Sequence, residues 1–460
     1  MVVGGGVAGL ATALATARRG ERVTLVEQDA LPRLDDPDAA FQASRRGAPQ
    51  VHQTHGFLAR LQVTLREEFP DVFEDLLGAG GTVMPTTAAL GAAQPGDEDL
   101  KVIIVRRTTL EWVLRRAVLR EVGVNLFRSS VAGLSATSGD PPVVTGVRLE
   151  DGTVIGGDVV VAANGRRSAL PAWLRRVGVD IPETVKQSGL MYLTRWYHLP
   201  PDRQVDLDPK LGGDLGFVKY LGVPGDGQTL SVTLAIRVGD TDLRVALSAG
   251  RRFDYACSLL PGPDRYFRAG PLEPIGGVRP MGGLLNRSRR FTSDDGSPRV
   301  LGFHAVGDAH TCTNPLYGRG CSLAVVQALM LRDALAAHPD DPAGQAVAYE
   351  AACRREVLPW YEVSVQMDQL GADPAGFSGG AGNKALAAVM AAAATDPVIG
   401  RGLLRFWNLM TTPADLAGDT AFVARVAEVM ADPDRWPVER PAGPTRDQLL
   451  QALHASEDAA

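Results

Sequence analysis

Cysteine is scarce in this chain, with four residues in 460. Cys257, Cys312, Cys321 and Cys353 lie far apart without Cys-x-x-Cys spacing, which gives neither a zinc site nor a disulfide framework and makes a reducing, cytoplasmic setting the expectation. Basic runs are also missing. With a net charge of −6 the chain has no electrostatic footprint for nucleic acid or an anionic membrane, so a small molecule is the expected partner. Long apolar runs are lacking too. The stretch from Ala387 to Ala394 falls well short of the roughly 20 residues that cross a bilayer, so no transmembrane segment is expected. No signal peptide is evident, because the N-terminus runs straight into a glycine-rich turn. Only Val2 and Val3 precede Gly4, whereas a strand usually has about 5 residues, so the numbered chain is expected to start inside its first strand.

What is present begins with "VVGGGVAGLATALATARRG". It places Gly4-x-Gly6-x-x-Gly9 between a strand stub and an Ala-rich helix that Gly20 can end. Gly4 permits a tight turn, Gly6 lets backbone approach a pyrophosphate, and Gly9 lets the helix pack closely on a sheet. The amides of Val7 and Ala8 open that helix, where unpaired N–H groups and a positive dipole end favour an anion. "ERVTLVE" follows as a β-branched strand ending at Glu27, which can accept hydrogen bonds from an adenosine ribose, with Gln28 beside it. This order of elements predicts a dinucleotide site without separating NAD from FAD.

Three later segments bear on that choice. "RRTTLEWVLRRAV" reads as a helix with Arg107 at its entry and Leu110, Leu114 and Ala117 on one face. "DVVVAANGRRSALPAWL" reads as a buried strand breaking at Asn164-Gly165. "RVLGFHAVGDAHTCTNPLYGRGCSLAVVQALM" reads as a strand ending at Gly307-Asp308, then a glycine-rich loop and an apolar helix. In this order the segments resemble the FAD-dependent monooxygenase superfamily of p-hydroxybenzoate hydroxylase-like enzymes, over residues 1 to about 335. The wording "NPLYGRGCSLA" is similar to that of flavin-dependent epoxidases acting on polyene and isoprenoid chains and their actinobacterial relatives.

The resemblance implies FAD as cofactor, with Glu27 on the adenosine ribose, Arg107 near the phosphates or ribityl chain, and Asp308 hydrogen-bonded to the ribityl chain. Val131 joins the implied cofactor contacts. Asn164 stands where the family usually has aspartate, so a role there that needs a carboxylate is in doubt. The alternative is a plain strand-ending turn at Asn164-Gly165. Pro315, Gly318 and Gly320 let backbone approach the flavin, and the helix start at Gly320, Cys321 and Ser322 can stabilise negative charge on a reduced ring.

No catalytic residue is fixed by the sequence. His52 and His55, with Gln50 in the loop "PQVHQTH", are candidates to orient the flavin or substrate or to shuttle a proton; equally they can cap a helix and bridge loop backbone. Neither has a cysteine or carboxylate at ligand spacing, so no metal is expected. Tyr317 and Arg319 are further candidates, Tyr317 as a packing or substrate-contact residue. Arg45 and Arg46 either reach FAD phosphates or are solvated. A second pattern, Gly380-x-Gly382-x-x-Ala385, follows a loop instead of a strand and reads as a loop entering a helix. The reductant is then NAD(P)H binding transiently, or a separate flavin reductase.

The fold expected is α/β. A Rossmann-like FAD-binding domain (residues 1–188 and 292–345) is interleaved with a mostly antiparallel substrate sheet (189–291) and followed by C-terminal helices (346–460). Trp196, Tyr197, Phe217 and Tyr220 are candidates to line the substrate cavity, and the tail from Pro437 reads as polar and frayed. The function implied is insertion of one atom of O2 into an apolar, secondary-metabolite-like molecule, by epoxidation or hydroxylation through a flavin C4a-hydroperoxide. The alternatives are an alkene reductase similar to geranylgeranyl reductases and, last, a halogenase, whose Gly-Trp-x-Trp-x-Ile-Pro signature is absent. A non-catalytic flavoprotein is the reading from a different class.

Overall fold

The first strand is short, Val2–Val3 (β1), but it sits at the centre of a sheet. It pairs in parallel with Val23–Glu27 (β2) on one side and Val160–Ala162 on the other. Val124–Arg128 extends the sheet beyond β2, and Phe303–Ala305 closes the far edge. The structure, a computed structural model, describes residues 1–29, 36–203, 211–270, 272–372, 381–437 and 442–458.

Parallel strands need cover on both faces, and alternation along β1 supplies it. Val2 points into a core with the helices Val7–Ala17 (α1), Arg107–Arg120 and Gly320–Ala337. Val3 points into a second core, where Val26, Leu149, Trp173 and Phe303 meet beneath a small antiparallel sheet of Val131–Thr137, Val143–Leu149 and Val154–Gly156. Leu110, Leu114 and Ala117 are all buried in the first core, as the helical spacing predicts.

The middle of the chain forms a five-stranded antiparallel sheet in the order Gly212–Asp214, Val218–Gly225, Thr229–Arg237, Leu190–His198, Glu273–Met281. Period-two alternation divides its faces. Leu193, Tyr197, Val232 and Leu234 pack against helices Thr241–Ser248 and Gly250–Leu259, while Tyr192, Thr194 and Thr233 face the parallel sheet's loops. A buried ion pair ties the sheet to the cofactor-side helices: the turn residue Asp226 binds Arg106 at the entry of Arg107–Arg120.

Two expectations need correction. The polar-looking tail carries a helix, Arg446–Asp458, whose Leu449 and Leu453 are fully buried against the helices Thr241–Ser248 and Gly250–Leu259 that back the substrate sheet; an i, i+4 leucine pair anchors it. And one helix, Gly320–Ala337, is long and apolar enough by composition to span a bilayer, with a mean hydropathy of 1.4. Its apolar surface is used instead against α1 and Pro342–Glu356 in the core. Of the second glycine pattern, Gly380 lies outside the described residues, and Ala381–Ala392 is a helix. Pro413 opens the helix Pro413–Gly418 at its N-terminus, where a missing N–H costs nothing.

Candidate active site

A cavity of about 420 Å³ lies where the two sheets face each other. Its first wall is the turn after β1. Gly4 has φ +108°, and a Cβ there would lie 2.6 Å from the Ala163 carbonyl oxygen. A Cβ on Gly9 would lie 1.7 Å from the Gly4 oxygen, so these two glycines let helix and strand touch. Gly6 differs: a Cβ there would meet nothing nearer than Glu111 Oε1 at 4.0 Å, because Gly6 faces the open cavity. No side chain caps α1, so its first amides are free to meet a ligand.

A second helix end converges on the same cavity. Gly318, Gly320, Cys321 and Ala324 line it, and the helix Gly320–Ala337 also lacks a side-chain cap. The two helices approach through Gly307, where a Cβ would lie 2.8 Å from Ala8 Cβ and 3.6 Å from Ala324 Cβ. Gly307 thus brings the two ends together without itself reaching the cavity wall.

Between the helix ends sits a buried charge cluster. Arg107 donates to Glu111 Oε1 at 3.0 and 2.9 Å, to Cys321 Sγ at 3.3 Å, and towards His55 Nε2 at 3.3 Å. Burial opposes its charge, but Cys321, Glu111 and Asp308 around it raise the guanidinium pKa, and Arg107 stays cationic. Glu111 also receives Arg45 Nη1 at 2.6 Å. Burial would protonate this carboxyl, yet Arg45 and Arg107 hold its pKa below the usual range. Burial pushes the Cys321 thiol up, against the pull of Arg107, so it stays a neutral thiol. Burial likewise raises the Asp308 carboxyl, against Arg107, Arg166 and Arg287.

His55 is fixed at both nitrogens: Nδ1 lies 2.9 Å from the Gln53 carbonyl oxygen, and Nε2 faces the Arg107 donor. The network therefore sets a neutral ring with the proton on Nδ1. Burial and the Arg107 charge lower its pKa to about 3. The loop carrying it is docked on the substrate sheet: Trp196 Nε1 donates to the His52 carbonyl at 2.7 Å, Thr194 Oγ1 to Gln53 Oε1 at 2.6 Å, and Thr233 Oγ1 to Thr54 Oγ1 at 2.8 Å.

The sequence candidates thus separate. Gly4, Gly6, Val7, Ala8, Glu27, Gln28, Arg45, Arg46, Gln50, His55, Arg107, Val131, Asn164, Gly165, Asp308, Pro315, Gly318, Gly320 and Cys321 line one cavity. Gly9 and Gly307 serve its packing, and buried Ser322 is off its wall. Arg45 is committed to Asp29 and Glu111, whereas Arg46 is exposed at the rim. His52 turns away, its ring edge-on to Phe41. Tyr317 and Arg319 also lie off the cavity wall. Tyr317 donates to Asp368 Oδ1 at 3.1 Å, and the Arg319 guanidinium is sandwiched by Tyr317 and Trp360 and bonded to Ser364. Of the aromatic candidates, Trp196, Tyr197, Phe217 and Tyr220 are not on the wall; Tyr192 and Met281 provide the sheet's contribution. Glu111, Gln53 and Thr54 were missed, although Glu111 stands at i+4 from Arg107 on one helix face.

The residues fit a dinucleotide cofactor. The Gly6 cradle is one that a Cβ would fill, and Asn164 Oδ1 is buried at the cavity without a partner. Glu27 Oε2 holds the Gly5 amide and Oε1 the Asp29 amide at 2.8 Å, which fixes its carboxylate beside the cradle.

The family model described as FAD dependent oxidoreductase, DAO, matches residues 1–103. No curated protein matches by sequence. Solved structures share the fold. PqsL from Pseudomonas aeruginosa, described as a probable FAD-dependent monooxygenase, is 18% identical with a TM-score of 0.59, over 82% of this chain and 97% of that one. The flavin-dependent brominase Bmp2 is 14% identical with a TM-score of 0.60, over 94% and 98%. The Diels-Alderase PyrE3 of pyrroindomycin biosynthesis is 17% identical with a TM-score of 0.59, over 89% and 79%. With the family match lying on the very turn and strand that build the glycine cradle, the chain is an FAD-dependent oxidoreductase.

Proposed function

We propose that this oxidoreductase is a monooxygenase that transfers one atom of O2 to an apolar small molecule. The observation that carries this reading is the wall opposite the cofactor cradle. There Tyr192, Met281, Thr313 and Pro315 offer no charged side chain, so a substrate can be held against the cofactor with water excluded. When bound, FAD supplies the two-electron chemistry that activates O2. The free amides at Gly6, Val7 and Ala8 would hold the pyrophosphate, and Glu27 would accept from the ribose. Asn164 Oδ1 and Asp308 would accept from nearby hydroxyl or N–H groups. The amides at Gly320 and Cys321 would donate to the ring edge that becomes negative on reduction.

His55 is not the proton carrier in this reading. Both ring nitrogens are engaged, and its role is to position Arg107. Electrons would come from NAD(P)H bound transiently or from a separate flavin reductase. PqsL supports the reaction class by its description. The brominase likeness is not carried over, because the Gly-Trp-x-Trp-x-Ile-Pro signature is absent.

The test is to reduce the flavin-loaded protein anaerobically and admit 18O2 in the presence of candidate polyenes. A product carrying one 18O atom is the expected result. Oxidation of the reduced flavin by an alkene without O2 would replace this reading with the alkene reductase.

A further inference from the structure

Beside the cofactor cavity lies a second, smaller one of about 180 Å³. Phe57, Met84, Val102 and Ile104 form one side, from the loop after His55 and the hairpin Thr82–Pro85 with Lys101–Ile104. Leu221 and Val223 form the other, from the substrate sheet. No lining residue carries a charge, hydroxyl or amide side chain. Leu221 nevertheless remains 45% exposed, so apolar surface is left facing solvent.

Three observations say what belongs there. First, Gly56 lines both cavities, and a Cβ on it would meet nothing within 4 Å, so the two spaces adjoin across bare backbone. Second, Gly56 lies against the glycine loop of the second helix end: a Cβ on Gly318 would be 3.1 Å from the Gly56 oxygen. The groove therefore adjoins the second helix end. Third, Leu221 and Val223 lie on the same face of the sheet as Tyr192, through the registers Leu221 with Thr233 and Leu193 with Leu234.

We propose that this groove holds an aliphatic chain of the substrate, so the substrate is a molecule with an extended hydrocarbon arm whose reacting end lies in the main cavity. The proposal rests on the monooxygenase reading of the main cavity. A compact aromatic substrate would leave the groove unfilled, whereas a chain threaded past Gly56 would cover Leu221 and Val223. With no polar partner in the groove, recognition there is by length and shape, and affinity scales with the methylenes buried.

The test uses flavin-loaded oxidised protein and a series of straight-chain 1-alkanols from butanol to decanol, read by the perturbation of the flavin visible bands. Each added methylene is expected to tighten binding about fourfold until the groove is full. Leu221→Asn is expected to weaken that gradient, and Val223→Trp, which fills the groove, to shorten it. Both positions are at least partly solvent-facing, so both variants keep the wild-type flavin content, and two independent variants guard against a folding artefact. A series with no length dependence, or one unchanged in both variants, overturns the proposal. Protein that takes up no flavin overturns the parent reading as well, and its spectrum shows this before any alcohol is added.

Discussion

Arg106 grips Asp226 three ways across 120 residues of chain: backbone N to Oδ1 at 2.7 Å, Nε to Oδ2 at 3.1 Å and Nη2 to Oδ2 at 2.7 Å. Both side chains are almost fully buried, at 3% and 1% exposure. Asp38, itself largely exposed, adds a second acceptor at 2.6 Å, and the Phe41 ring lies under the guanidinium. This joint sets the substrate sheet over the cofactor cradle.

Removing one partner of such a pair leaves the other charge buried and uncompensated. Asp226→Ala is expected to cost about 3–5 kcal/mol in urea unfolding, and Asp38→Ala below about 1 kcal/mol because that carboxylate is exposed. If Asp226→Ala costs no more than Asp38→Ala, the joint is not structural.

Two glycines of the first turn are expected to fail differently. Gly9→Ala drives a Cβ into the Gly4 oxygen and should lower stability or solubility outright. Gly6→Ala meets no protein atom closer than 4.0 Å, so it should fold normally yet emerge with little flavin. Circular dichroism with the ratio of visible to ultraviolet absorbance separates the two outcomes.

Arg107→Leu removes the cation shared by Glu111, His55 and Cys321. Flavin retention after desalting should fall at least about tenfold, equivalent to the loss of one charge-assisted hydrogen bond in a dry site. Arg107→Lys should recover little, because a single ammonium cannot span the same acceptors.

Acid should weaken the fold through its buried neutral histidines. Burial lowers His52, aided by the Arg279 charge, and His304 to about 4 each. Below the unfolded value near 6.5 the unfolded chain binds the protons these rings refuse. Their stabilisation is therefore complete above that pH and is lost as pH falls towards 4. The urea midpoint should drop across this window, and the slope should flatten in His304→Asn. Cys353 and Glu350 outweigh burial to raise His310 to about 10, so it has the opposite sign and keeps its contribution over the same acidic range.

The backbone devices of the site were legible in the sequence because each is a local constraint. Gly4, Gly6 and Gly9 are spaced by the turn they make, and Gly307-Asp308 ends a strand that must join the parallel sheet. Which loop side chain faces the cavity was not legible. His52 and His55 are three residues apart in the same loop, and the choice between them is made by Thr194, Trp196 and Thr233, more than 140 residues away. Arg319 sits between two loop glycines and looks like a flavin contact, yet Tyr317 and Trp360 draw it to the other side. Trp196 shares its sheet face with Tyr192, but only Tyr192 reaches the cavity, because the register places Trp196 opposite the His52 loop.

The late arrival of Phe303–Ala305 in the central sheet constrains how the protein can be made. The glycine turn leaves the ribosome well ahead of the second helix end that faces it, which is some 300 residues behind. At roughly 5–20 residues per second, the nascent chain carries half a cradle for about 15–60 s. Throughout that interval α1 has no Gly320–Ala337 to pack against, and its apolar face needs another cover. Flavin capture is then a closing event of synthesis, and cofactor supply in the cell bears on the yield of folded protein as well as on its colour.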